Sequence, residues 1–427
     1  MTTVTKAGLA PTRAVLPNGV VVLTTESRTA PAITISAAFA AGSVFDPQGK
    51  DGVAHLLSRV LDRGTDRRTA DDIAEELENR GAALTIGLTR HQITLSCTCL
   101  SEDFEPTIAL LAEIVSRPIF PDVQVESRRG EVLTVLRQDD DNPAVRAVET
   151  LMEVLYGPEH PYGRRAKGTA ATVESLRRED LLGMHGSRFA PASLSLVIVG
   201  DVSAQQATAA AASALGGWRA AVPSPTPVVP VPSSDRRRKV VIPMMNKSQV
   251  DIAYGFTAIK RDDPSYYGVW IMNNVLGQYG LGGRLGDSIR ERQGMAYYAF
   301  SSFDANVMEG PLLIRAGVNP ANVDRTLQSI DAEVDRMSAN GITETELTDA
   351  KRYLIGSIPR TLETNAGIAT FLQGVEHFNL GLDFDQRLPE LLSAVTIEHV
   401  AAAARRTLAA SRAAVVIAGP YEETVIS

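Results

Sequence analysis

The sequence predicts an α+β protein built as two homologous domains, and three observations carry that prediction. Alternating hydrophobic runs of strand type and three-and-four-spaced runs of helix type both occur in each half of the chain. Five prolines between Val222 and Ser234, with no helical period, break the pattern near the middle of the 427 residues. Two pairs of segments also recur at one offset. Ser195–Gly200 is echoed by Ala414–Gly419 and Phe104–Leu111 by Val323–Ile330, with Thr107 and Thr326 in register, each time 219 residues apart. A constant offset at two separated points is the trace of a duplicated domain. The expected division is residues 1–221, a linker at 222–239, and residues 240–427.

The elements follow in order. Leu16-Pro17-Asn18-Gly19 is a turn into a β run from Val20 to Thr25, and a second run extends from Ala32 to Ala41. A hairpin between the two runs is compatible with the pattern. Gly52 to Thr65 reads as one short helix. Val53, Leu56, Leu57, Val60 and Leu61 form its buried face; His55, Ser58, Arg59 and Asp62 fall on the other side. Thr69 caps the next helix with Asp72 as its capping-box partner, Ile73, Ala74 and Leu77 form the inner stripe, and Gly81 stops it. From His91 to Cys99 the chain alternates, with Ile93, Leu95, Cys97 and Cys99 on one face. A helix from Asp103 to Ser116 turns Phe104, Ile108, Leu111 and Val115 inward and ends before Pro118 and Pro121. Another runs from Asp122 through Glu131 and Val135 to Gln138. Leu194–Val199 is a buried strand. The basic run Arg236–Lys239 reads as a solvated loop.

Composition narrows the function. Hydrophobic residues make up 44% and charged residues 22%, as in an ordinary globular protein. A net charge of −8 argues against nucleic acid as a partner. No run approaches the roughly 20 apolar residues of a membrane span, and no secretory signal is visible in Met1–Pro11, so a cytoplasmic protein is expected. Cys97 and Cys99, two apart on one strand face, cannot close an unstrained disulfide and offer no zinc site; they read as small buried residues.

The helix Gly52-Val53-Ala54-His55-Leu56-Leu57-Ser58-Arg59, followed by Gly64-Thr65, resembles the signature helix of the pitrilysin/insulysin family of zinc peptidases, G-x-A-H-x-x-E-H and then Gly-Thr. The resemblance covers nearly the whole chain. It implies a repeated domain, each an antiparallel-rich sheet covered by helices, with the two closing like a clam around a chamber. In that family both His side chains bind zinc, the Glu is the general base, and a second Glu on a helix before an Asn-Pro turn is the third ligand. Here Ser58 stands at the base position and Arg59 at the second His. Aligned on Asp141-Asn142-Pro143, the third ligand falls on Val135, preceded by Thr134; a slip of one helical turn would bring Glu131 there instead. Only His55 remains of the set. One imidazole beside a guanidinium that cannot lose its proton is not a zinc site, so no metal or cofactor is expected on this chain.

The second half keeps its motif. Leu281-Gly282-Gly283-Arg284-Leu285, continued by Arg290-Glu291-Arg292-Gln293-Gly294-Met295-Ala296-Tyr297, resembles the segment that in two-domain family members supplies an Arg and a Tyr to the scissile peptide. The matching residues are Arg284 and Tyr297. Both can donate to a carbonyl oxygen as it gains negative charge. Gly277, Gly280, Gly282 and Gly283 form a glycine-rich loop with freedom in its backbone angles, without the Gly-Lys-Ser/Thr ending of a phosphate loop. Gly81–Gly87 lacks the Asn that the family carries in its substrate-pairing edge strand. Loss of the metal half and retention of the substrate half imply a non-catalytic subunit of a heteromeric zinc peptidase, inactive alone. Its zinc-bearing paralogous partner would supply the metal, and a peptide would be the substrate. The alternatives are a structural core-type subunit and an atypical metallopeptidase active alone.

Overall fold

The computed structural model describes residues 8–232, 234–278 and 282–422. They form two compact units, one drawn from residues up to Leu136, Arg165–Pro227 and Ile358–Arg387, the other from Arg137–Arg164, Val228–Ser357 and Leu388 onward. Each unit contains one mixed sheet.

The first sheet has six strands: β1 (Thr12–Val15), β2 (Val21–Glu26), β3 (Ala32–Phe39), β4 (Ala83–Leu88), β5 (Ile93–Leu100) and β6 (Leu194–Gly200). Their order is β1-β2-β6-β3-β5-β4. β6 lies between β2 and β3, parallel to the former and antiparallel to the latter, so those two runs do not form the hairpin their adjacency suggested. The second sheet holds β7 (Arg238–Pro243), β8 (Val250–Thr257), β9 (Ala296–Phe303), β10 (Pro311–Val318) and β11 (Ala414–Gly419) in the order β7-β11-β8-β10-β9. Apart from β1, the two orders correspond strand for strand, and the parallel pair β2/β6 recurs as β7/β11. Gly200 and Gly419 close the matching strands at φ +142° and +140°, angles that exclude an ordinary side chain. Thr107 and Thr326 are both buried in the matching helices Phe104–Ser116 and Val323–Asn340.

The alternation read at β5 is present: Ile93, Leu95, Cys97 and Cys99 are all buried, and both thiols are free. Thr69 and Asp72 form a reciprocal capping box at the helix Ala70–Glu78. β6 is apolar on both faces, and both are covered. Leu196 and Ile198 join the large core with Ile108 and Leu111. Val197 and Val199, with Leu23 of β2, pack instead on Ile368, Ala369 and Leu372 of the helix Asn365–His377. Buried Gln373 secures that helix, its amide donating to the Ser36 and Ser195 carbonyls at 2.9 and 3.1 Å while its oxygen accepts from Ser195 Oγ. In the other unit the helix Pro143–Tyr156, capped by Asn142, lies across β8 and β11. Gly255 admits it: a Cβ there would sit 3.0 Å from Leu151.

The basic run is not a solvated loop. Arg238 and Lys239 open β7, and Arg237 pairs with Asp331 at 2.7 Å, beside the Tyr254 ring.

His91, in the hairpin between β4 and β5, is 3% exposed. Its ring lies 6.3 Å from that of His377. Burial, then the neighbouring His377 and Arg90, hold it down to about 4. The unfolded chain takes up this proton near pH 6.5 and the folded chain does not. Its contribution is therefore intact above pH 6.5 and is lost as pH falls towards 4, by about 3 kcal/mol in all. Denaturant unfolding across that window should show this slope, and His91→Gln should flatten it.

Candidate functional site

The signature helix spans Val53–Val60, shorter than the Gly52–Thr65 stretch expected. Gly52 caps it at φ +93°, and a Cβ there would meet the Lys167 carbonyl at 2.5 Å. Buried Asp46 accepts from the Gly52 and Ala54 amides at 2.7 and 3.0 Å, placing a carboxylate on the positive end of the helix. Val53, Leu56, Leu57 and Val60 are fully buried, as the spacing predicts. Ser58 is a correction. It is 5% exposed, and its hydroxyl donates back to the His55 carbonyl at 2.7 Å, so it does not share the outer face.

His55 is half-buried and Arg59 is exposed. Arg59 Nη2 stands 3.6 Å from Glu131 Oε2. Glu131 Oε1 accepts from Arg128, and these two guanidinia, Arg128 first, hold its carboxyl below the usual range. Val135, one turn beyond Glu131, is exposed, and Thr134 donates to the Gly130 carbonyl at 2.9 Å. The structure thus brings Glu131 to the signature helix, where it meets a cation of the protein's own. This donor set does not fit zinc: a single imidazole, a hydroxyl turned into its own helix, and a carboxylate already paired to a permanent charge. Among the described residues no group of three or more His, Cys, Asp and Glu side chains gathers as a metal site.

In the other unit, Arg284 lies between two π-helical turns, Asn274–Gln278 and Gly286–Arg292, a geometry frequent at functional sites. Its guanidinium grips Glu346 through two bonds of 2.7 and 2.8 Å and donates to the Gly341 carbonyl at 3.0 Å. Nη1 is buried without an acceptor. Glu346 also forms a capping box with Thr343, accepting from its amide at 2.8 Å while its own amide donates to Thr343 Oγ1 at 3.2 Å. The sequence Thr343-x-x-Glu346 carried that signal; its second duty on Arg284 did not show. Gly277 and Gly283 are required by close approach rather than by unusual angles, since a Cβ on Gly283 would lie 2.8 Å from the Gly277 Cα. Gly280 and Leu281 lie outside the described residues.

Tyr297 is 68% exposed at the start of β9, an edge strand. The ladder to β10 slips there: Gly317 faces Tyr298 and Val318 faces Ala296, leaving Tyr297 as the bulged residue. The bulge is held from below by Tyr298, whose phenol donates to buried Asp251. Burial, then that carboxylate, raises the phenol. Asp251 and Tyr298 are site-forming residues that periodicity did not single out.

Fold and site together define a duplicated peptidase scaffold without a complete metal set. The family models agree: residues 21–164 match insulinase (peptidase family M16) and residues 175–354 match the peptidase M16 inactive domain. The chain belongs to the M16, pitrilysin-like family. An uncharacterized zinc protease of Mycobacterium tuberculosis is 26% identical over 422 residues, 97% of this chain and 94% of the relative. The non-peptidase homolog YmxG of Helicobacter pylori is 25% identical over 371 residues, 86% and 84% of the two chains. A solved peptidase M16 inactive domain from Pseudomonas fluorescens superposes with TM-score 0.88 at 29% identity, covering 96% of this chain and 98% of that one. A protease from Helicobacter pylori gives TM-score 0.90 at 18% identity, covering 97% and 100%.

The two arginines should differ in their effect on stability. Arg284→Ala strands a half-buried carboxylate and should cost about 2 kcal/mol, whereas Arg59→Ala opens an exposed pair and should cost less than about 1 kcal/mol. Paired denaturant melts measure the difference.

Proposed function

We propose that this chain is the non-catalytic subunit of a heteromeric zinc peptidase, handling peptide for a zinc-bearing homologue. The observation that carries the reading is the Arg59–Glu131 pair at 3.6 Å, a fixed positive charge where the family's second metal ligand stands. The M16 inactive-domain match and the non-peptidase homolog among the relatives support it.

In this reading Tyr297 is the substrate-facing donor. Its phenol is exposed and makes no hydrogen bond among the described residues. It is free to donate to a peptide carbonyl oxygen as negative charge builds there. Arg284, clamped by Glu346, fixes the turn that leads to it, and its Nη1 retains an unused N–H. The open edge of β9 offers main-chain groups to an extended peptide. The name of the mycobacterial relative favours a second reading, a zinc peptidase active alone; the donor set around His55 argues against it.

Metal analysis and cleavage assays separate the two. The purified chain alone should hold no stoichiometric zinc and cut no peptide. Mixed with a zinc-bearing M16 homologue from the same organism, it should raise cleavage, and Tyr297→Phe should lower kcat roughly a hundredfold with a smaller change in KM. A tightly held zinc on the isolated chain would overturn the proposal. Unchanged cleavage by the Tyr297→Phe mixture would leave only a scaffolding role.

A further inference from the structure

A cavity of about 560 Å³ in the second unit shares no residue with either patch above. That volume lies within the range of small-molecule sites, roughly 300–1,000 Å³. Phe256, near the end of β8, and Leu155, from the helix Pro143–Tyr156, form its apolar wall. The proline-rich strap Val228–Pro232 closes one side, and its Val229 carbonyl lies 3.3 Å from His160 Nε2. The strap therefore packs against the unit rather than merely spacing the chain.

The polar wall carries uncompensated charge. Lys260 stands 3.7 Å from Glu309, and Arg406 is paired with Asp263 at 2.7 Å. Arg238 and Arg412, which also line the cavity, have no carboxylate partner among the described residues. Asp235 is the lining carboxylate without a cation partner, so one positive charge remains in excess. Arg238 donates through Nη1 to the Val154 carbonyl, while its Nε is buried without an acceptor. Burial without a counter-anion pushes this guanidinium below its ordinary value. Thr407 is 6% exposed, lines the same cavity, and its hydroxyl has no partner. Unmet buried donors are costly, and an anion that accepts from them removes that cost.

We propose that this cavity binds a small amphipathic carboxylate. Its head lies between Arg238 and Arg412 and accepts from the Thr407 hydroxyl, and its apolar tail lies along Leu155, Phe256 and the strap. A single excess charge matches a monoanion. The negative end of the helix Ile397–Thr407, where Thr407 sits, further disfavours a phosphate dianion.

Isothermal titration of the full chain with octanoate, octanol and octylammonium tests the assignment. Octanoate should bind saturably at one per chain, and octylammonium should not bind. Arg412→Ala, at an exposed position that leaves the thermal transition in place, should weaken octanoate about tenfold. Thr407→Val should weaken it several-fold. An acetylated apolar tripeptide that binds more tightly than octanoate, but not as its C-terminal amide, would assign the carboxylate to a chain terminus and sustain the proposal. Equal affinity for octanol, no saturable binding of octanoate, or an Arg412→Ala variant of unchanged affinity would overturn it.

Discussion

An interior strand of each sheet, β6 in one and β11 in the other, is apolar on both faces, and that constraint governs the rest of the fold. Every residue of β11 is buried, and all of β6 except Ser195 is buried. A strand of this kind needs packing above and below. The helices Phe104–Ser116 and Val323–Asn340 come from the same half of the chain as the sheets they accompany. The remaining face of each sheet is covered by a helix from the opposite half: Asn365–His377 on β6 and β3, Pro143–Tyr156 on β8 and β11. Gln373 and Gly255 mark the two ways of seating such a helix, one by hydrogen bonds to strand carbonyls, the other by removing a side chain.

On this scaffold the two site regions have different chemistry. The signature helix keeps everything that orients it: the left-handed Gly52, the Asp46 carboxylate on its amides, the buried apolar face. What it presents is an ion pair. Arg59 and Glu131 set opposite charges facing one another across two helices. The second region carries an exposed phenol on a bulge, and the Arg284–Glu346 clamp precedes it in the chain. The bulge sets the position of Tyr297 on the edge strand, and Tyr297 itself buries little surface.

Much of this was legible in the chain. Strand and helix periods located β2, β3, β5, β6 and the helices that pack beside them, because those segments answer to burial on a single repeating face. The constant offset between β6 and β11 anticipated the matching strand orders. Strand neighbours were less legible: β6 inserts between β2 and β3 from well over a hundred residues away, and hydropathy does not encode such a partner. Arg236–Lys239 read as solvent-facing because charge was weighed without the acceptors, Asp331 and the Tyr254 ring, that distant segments bring to it. Ser58 followed the same logic in reverse, since a hydroxyl that bonds to its own helix can be buried at little cost. His55, Arg59 and Val135 stood out only against a family pattern. The pairing of Arg59 with Glu131 required the fold.

The exchanged helices bear on how such a protein could have arisen and how it can be divided. Once each sheet depends on a segment encoded beyond the strap, neither half of the gene specifies a finished object. A fragment ending near Val222 would leave Leu23, Val197 and Val199 bare where Ile368 and Leu372 belong. A single-repeat chain of this fold would meet the same need only by trading this helix with a twin. A protease nick in the strap would then cut a covalent thread without releasing two independent bodies.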